Sequence, residues 1–190
     1  MYKICKRESA AKRQAEIADS VKHLLLVSYY EQTTVADICR NASISRRTFY
    51  RFFDGKDDVI DYLIERAMGR DNSHFSIANS AEEAAILEFR SYFRFWLKNK
   101  DILLMCKRNN LDYYLQKHTA KMAVDLRKGI KEASVKGDPF LYEMTALITT
   151  SGIISILLAW RDSNFERTPE EMARTVVQLL FNPLYRFEHI

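Results

Sequence analysis

Apolar residues recur along this chain at spacings of three and four, and no long run alternates every second position. Ile17, Val21, Leu24, Leu25 and Ser28 form one such stripe, following a segment rich in Lys, Arg, Glu and Ala. Spacing of this kind gathers side chains on one face of an α-helix, whereas a half-buried strand has a period of two. Thr34, Ser45 and Ser80 stand where a side-chain oxygen can accept from the free amides of a first helical turn. Pro139 and Pro169 stand where a first turn tolerates a missing N–H. The pattern predicts an all-α chain of about nine helices, over residues 9–31, 35–42, 46–52, 57–73, 81–99, 101–108, 110–136, 139–163 and 169–187. The stretch from Arg70 to Ser80 is its most polar break and the first candidate for a boundary, although the fourth helix should couple both sides.

Composition narrows the class. With 47% hydrophobic and 28% charged residues in 190, the chain can bury a core and is not a disordered tail. Lys3, Lys6, Arg7 and Glu8 break any apolar leader, and three cysteines without metal-like spacing argue against a disulfide framework or zinc site. A cytoplasmic protein is expected. The net charge of +4 is unevenly spread: Met1 to Lys56 carries eleven Lys and Arg against six Asp and Glu, so the remainder is slightly acidic. A basic first third joined to a neutral body suits a phosphate-binding reader.

The segment Thr33 to Asp58 has the matching shape. Val35, Ile38 and Cys39 mark one face of a short helix, Ala42, Ser43 and Ile44 allow a tight turn, and Ser45 caps a second short helix. Phe49 and Phe53, four apart, turn inward and leave Arg46, Arg47, Thr48, Tyr50 and Arg51 on the outer face and N-terminal end. Two short helices joined by a three-residue turn form a helix-turn-helix, whose second helix enters the major groove N-terminus first. Arg can bond guanine O6 and N7 in bidentate fashion, while Thr and Tyr hydroxyls anchor phosphates.

These residues resemble the TetR family of bacterial regulators, through Thr33-Thr34, the Ile38–Ala42 spacing, Ile44-Ser45, Thr48-Phe49-Tyr50, Phe53 and Lys56 in family order. The resemblance implies DNA-contacting positions at Thr34, Arg46, Arg47, Thr48, Tyr50 and Lys56, with Ser45 and Arg51 beside them. Thr48, Tyr50 and Lys56 are expected at phosphates, and Arg46 and Arg47 at bases. Ser43 replaces the usual turn glycine, which asks either for an unfavourable positive φ or for a slightly altered turn. The expected division is a DNA-binding domain over 1–56 and a dimerisation and ligand-binding helical bundle over 57–190.

From Met144 to Trp160 no residue is charged. Seventeen residues reach only the lower edge of a membrane span, and the Thr and Ser among them make it too polar for one. A helix buried on two faces is the better reading, one face on its own domain and one on a partner. Gly152-Ile153, Trp160 and Thr168–Ala173 resemble a TetR subgroup frequent in Firmicutes, and in the wider family the last two helices form a four-helix dimer interface. Ser151, Gly152, Ser155, Trp160, Met172, Val176 and Leu180 are the expected interface residues. Two readers related by a two-fold axis would read a palindrome in double-stranded DNA as a homodimer.

In many relatives the middle helices enclose an apolar effector pocket. Phe89, Phe93, Trp96, Cys106, Tyr113, Tyr114 and His118 are its candidates here, with ordinary core packing as the alternative. Ser-His-Asp, HExxH, P-loop and dinucleotide fingerprints are missing and the four histidines are scattered, so neither catalysis nor a cofactor is expected. The leading expectation is a repressor released by a small molecule. A regulator answering to a protein partner, or to no ligand, is the alternative.

Overall fold

The computed structural model describes residues 2, 3, 5, 7–68, 81–121 and 138–181. Among them are nine helices and no strand: α1 (Glu8–Val27), α2 (Val35–Asn41), α3 (Arg46–Phe52), α4 (Lys56–Met68), α5 (Ala81–Lys98), α6 (Lys100–Asn109), α7 (112–121), α8 (Pro139–Asp162) and α9 (Pro169–Phe181). The all-α expectation holds. The predicted continuations of α4, α7 and α9 beyond 68, 121 and 181 lie outside the described residues. One end differs: α1 stops at Val27 rather than at 31, where Ser28 turns extended and its hydroxyl donates back to Leu24 O at 2.7 Å.

The chain divides into two compact units, Met1–Arg70 with Asp101–His118, and Asp71–Lys100 with Thr119–Ile190. Lys56 and α4 lie in the first unit, where α4 packs on α1. Ile17, Ala18, Val21 and Leu25 of α1 are buried there, as are Val59, Ile60, Leu63 and Ile64 of α4. Arg66 of α4 also pairs with Asp19 of α1. Leu103, Met105 and Cys106 of α6 and Leu115 of α7 are buried as well. Asn109, at the end of α6, donates to Leu25 O at 2.8 Å and accepts from Tyr30 N at 2.7 Å, which leaves no orphan polar group on this buried amide.

In the second unit α5 packs along α9, and Arg94 pairs with Glu170. Phe93 meets Trp160 edge to face with ring centroids 5.3 Å apart, and the Trp160 indole N–H donates to Arg167 O at 2.9 Å. That bond satisfies the polar edge of a buried ring. Ile154, Leu157, Ala173, Val176 and Val177 complete this core. The opposite face of α8 is uncovered in the subunit: Leu141, Thr145, Ile148, Ser151, Ser155 and Ala159 are exposed at helical spacing. By length and composition residues 143–162 could cross a membrane.

Candidate nucleic-acid interface

Each end of the helix pair α2–α3 is set by local chemistry. Thr34 forms a capping box: its hydroxyl accepts from Asp37 N at 3.2 Å, and Asp37 Oδ2 accepts from Thr34 N at 3.0 Å. The bonds from Thr34 hold the Asp37 carboxyl below the usual carboxylate range. At the other end Ser43 takes the left-handed conformation, φ 50°, and the amides of Ser43 and Ile44 bond Arg40 O and Cys39 O. This is a Schellman closure, which normally favours glycine at that position. Of the two consequences open for Ser43, the positive φ is the one found. Asn41 ties the same end to α1 by donating to Ser20 O at 3.0 Å. Ser45 Oγ then accepts from Thr48 N at 3.0 Å and lies 2.9 Å from Thr48 Oγ1, which starts α3.

Three rings fasten α3 from behind. Phe49, Phe52 and Phe53 are 0%, 1% and 0% exposed, so Phe52 is an anchor that the i, i+4 pattern alone does not reveal. Phe53 stacks edge-on against Tyr62 of α4 at 5.7 Å. With that side fixed, Ser45, Arg46, Arg47, Tyr50 and Arg51 are exposed and Thr48 is half-buried. Among the described residues no hydrogen bond or ion pair holds the guanidinium of Arg46 or Arg47. Arg51 lies over the Phe52 ring at 4.8 Å, a cation–π contact that aligns it along the helix.

Lys56, expected at a phosphate, is also engaged within the protein. Its ammonium donates to Tyr30 O at 2.7 Å, Thr33 O at 3.2 Å and Glu31 O at 3.5 Å, and sits 4.2 Å from the Tyr30 ring centroid. The early end of α1 exposes these carbonyls in the α1–α2 loop, and the nearest cation satisfies them. The ammonium is thereby tied to the α1–α2 loop.

The same corner joins α7 to the reader. Tyr30 and Tyr114 both donate to Asp57 Oδ1 of α4, the Tyr114 bond at 2.7 Å. Lys117 reaches both oxygens of Asp61 at 2.8 Å, and His118 Nε2 lies 3.1 Å from Asp61 Oδ1. Bonds from Tyr30 and then Tyr114 hold the Asp57 carboxyl low, while burial pushes both phenols above their ordinary value. Tyr30, Asp57, Asp61 and Asn109 carry no motif, and nothing in their spacing could have marked them.

The remaining candidates are spread over the two units. Phe93 and Trp96 are buried and Phe89 half-buried on α5. On α6 and α7, Cys106 is buried, Tyr113 is 65% exposed, and Tyr114 and His118 are bonded to α4. Of the expected interface residues, Ser151, Ser155 and Leu180 are exposed and Gly152 is half-buried. Met172 and Val176 are buried in the subunit's own core, because the apolar face of α9 packs on α5, and Trp160 of α8 is buried against Phe93.

A capped helix-turn-helix, with basic side chains outward and its support helix bonded to the bundle behind it, defines a DNA-binding transcription regulator. Residues 30–63 match the family model described as bacterial regulatory proteins, tetR family, and residues 87–182 match that of a transcriptional regulator C-terminal region. The chain belongs to the TetR family. It is 26% identical over 160 residues to the HTH-type transcriptional regulator YxbF of Bacillus subtilis (strain 168), covering 80% of this chain and 40% of that protein. It is 32% identical over 65 residues to the HTH-type dhaKLM operon transcriptional activator DhaS of Lactococcus lactis subsp. lactis (strain IL1403), covering 33% of this chain and 35% of that one. The chain thus spans about two fifths or less of the length of these relatives. A solved TetR-family regulator from Syntrophomonas wolfei str. Goettingen shares the fold, with a TM-score of 0.62 at 17% identity over 95% of this chain and 97% of that one.

Proposed function

We propose that this regulator binds a palindromic operator as a homodimer, represses transcription there in the cytoplasm, and is released by a small-molecule effector. The observation that carries the reading is the pair of exposed guanidinium groups, Arg46 and Arg47, which no hydrogen bond or ion pair holds among the described residues, at the N-terminal end of a helix anchored by three buried rings. Arg46 and Arg47 read bases. Thr34, Ser45, Thr48, Tyr50 and Arg51 bind backbone phosphates, and Lys56 shapes the loop behind them.

The uncovered face of α8 supports the dimer. Ile148 is 66% exposed in the uncharged stretch from Met144 to Trp160, Leu141 is 65% exposed near the start of the same helix, and the small side chains of Ser151, Gly152 and Ser155 permit close approach of a second copy. On α9 Leu180 is exposed too, while Trp160, Met172 and Val176 are buried in the subunit core. An effector held among the aromatic residues Phe89, Phe93 and Trp96 shifts the operator-binding equilibrium if it prefers one of two states.

Selection of bound fragments from random duplex DNA tests the reading. Inverted half-sites with centres about one helical turn, roughly 34–36 Å, apart are expected. Recovery of no preferred sequence sinks it. A thermal-shift screen of metabolites tests the effector, since a ligand of the folded state raises the melting temperature by mass action. A second reading, activation in place of repression, is favoured by the name of the Lactococcus relative, an operon activator. Transcription from a promoter carrying the selected site decides between them.

A further inference from the structure

The recognition helix is held at its C-terminal end by residues from the far start of the chain. In any helix the last carbonyls lack partners within the helix, and that end carries partial negative charge. In α3, Tyr50 O accepts from Lys3 Nζ at 2.6 Å, and Phe52 O accepts from Lys3 N at 3.0 Å. Gln14 of α1, only 2% exposed, donates to Lys3 O at 2.9 Å and to Phe52 O at 3.4 Å. Lys3 Nζ also lies 3.5 Å from Asp54 Oδ1, between α3 and α4. Next to it, the Tyr2 ring meets Tyr62 of α4 edge to face at 5.2 Å, and its hydroxyl bonds Glu65. Residues 2 and 3 therefore strap α3 to both α1 and α4.

We infer that Lys3 is a positioning residue for operator recognition: it sets the orientation of α3 through the Tyr50 and Phe52 carbonyls without contacting bases. The inference rests on α3 being the reader. Its physical basis is leverage. Phe49, Phe52 and Phe53 fix the depth of α3, but apolar packing resists a small rotation about the helix axis weakly, whereas hydrogen bonds to two carbonyls have direction. Bidentate bonding to a guanine edge tolerates little misorientation. Tyr50 joins the strap to the outer face of α3, since its side chain is exposed while its carbonyl is held by Lys3.

The test compares unaltered protein, Lys3→Met and Lys3→Arg on a duplex selected by the unaltered protein and on a scrambled duplex of equal length, each over a range of salt. Lys3→Met keeps the backbone bond to Phe52 and removes only the charged donor. Expected for Lys3→Met is a loss of about three- to tenfold on the selected duplex, no change on the scrambled one, and an unchanged salt slope. Lys3→Arg is expected to restore most of the preference. Equal losses on both duplexes with a slope shallower by about one phosphate would mean direct backbone contact and overturn the proposal. Unchanged affinity on both would do so too. Should the unaltered protein not prefer its selected duplex, the assignment of α3 as reader falls first. Circular dichroism on the same samples confirms that both variants are folded, and Tyr2→Phe, which removes only the Glu65 bond, offers a second milder loosening of the strap.

Discussion

Tyr114 on α7 donates to Asp57 on α4 at 2.7 Å, and the same carboxylate oxygen receives the hydroxyl of Tyr30 from the α1–α2 loop. One carboxylate thus joins three elements of the first unit. Because these bonds favour the ionised acid, its folded pKa is depressed. The stabilisation it contributes is present above about pH 4, the unfolded value, and is lost as pH falls through the depressed one. The phenols behave oppositely: raised in the fold, they stabilise fully below about pH 10 and lose that contribution as pH climbs further. Melting temperature against pH should show Asp57→Asn flattening the acid limb and Tyr30→Phe with Tyr114→Phe flattening the alkaline limb. Parallel curves for all three would show that these bonds add nothing.

Arg46→Ala and Arg47→Ala are each expected to cost about 1–3 kcal/mol of operator affinity and to relax preference at one base pair. Both side chains are exposed, so melting temperature should hardly move. Equal losses on every duplex would reassign both arginines to phosphates.

Lys56→Met should lower stability by about 1–3 kcal/mol, since it leaves the carbonyls of Tyr30, Glu31 and Thr33 without their cation. Chemical denaturation measures this directly. An unchanged midpoint with a reduced salt slope of DNA binding would instead point the ammonium at a phosphate.

Gly152→Arg should yield monomers by light scattering. Nothing lies within 4 Å of a Cβ built at Gly152, so the subunit leaves room where the new side chain begins, and circular dichroism checks that the variant is folded. Ile148→Glu, at a 66% exposed position, should act in the same direction. Intact dimers from both variants would move the interface elsewhere.

Much of this was legible because it is local. Thr34 and Ser45 cap their helices and Ser43 closes the turn, and each depends on residues within a few positions. The inward side of α3 follows from helical spacing in the same way, although Phe52 escaped the two-residue pattern. Tyr113, Tyr114 and His118 show where such reading ends. Their aromatic character is plain in sequence, but that Tyr113 is exposed while Tyr114 and His118 bond to α4 is not.

What the chain order alone determined was the all-helical character, the two caps and the turn between them, and the side of α3 that carries Arg46 and Arg47. Those depend on backbone preferences and on periodicities a few residues long. Only the tertiary structure decided that Lys56 turns inward, that Lys3 reaches Tyr50, and that Met172 and Val176 belong to the subunit core while Ile148 does not. Each depends on which acceptor or apolar surface a distant segment brings near. A hydrogen bond spanning 47 positions leaves no periodic trace in the residues between.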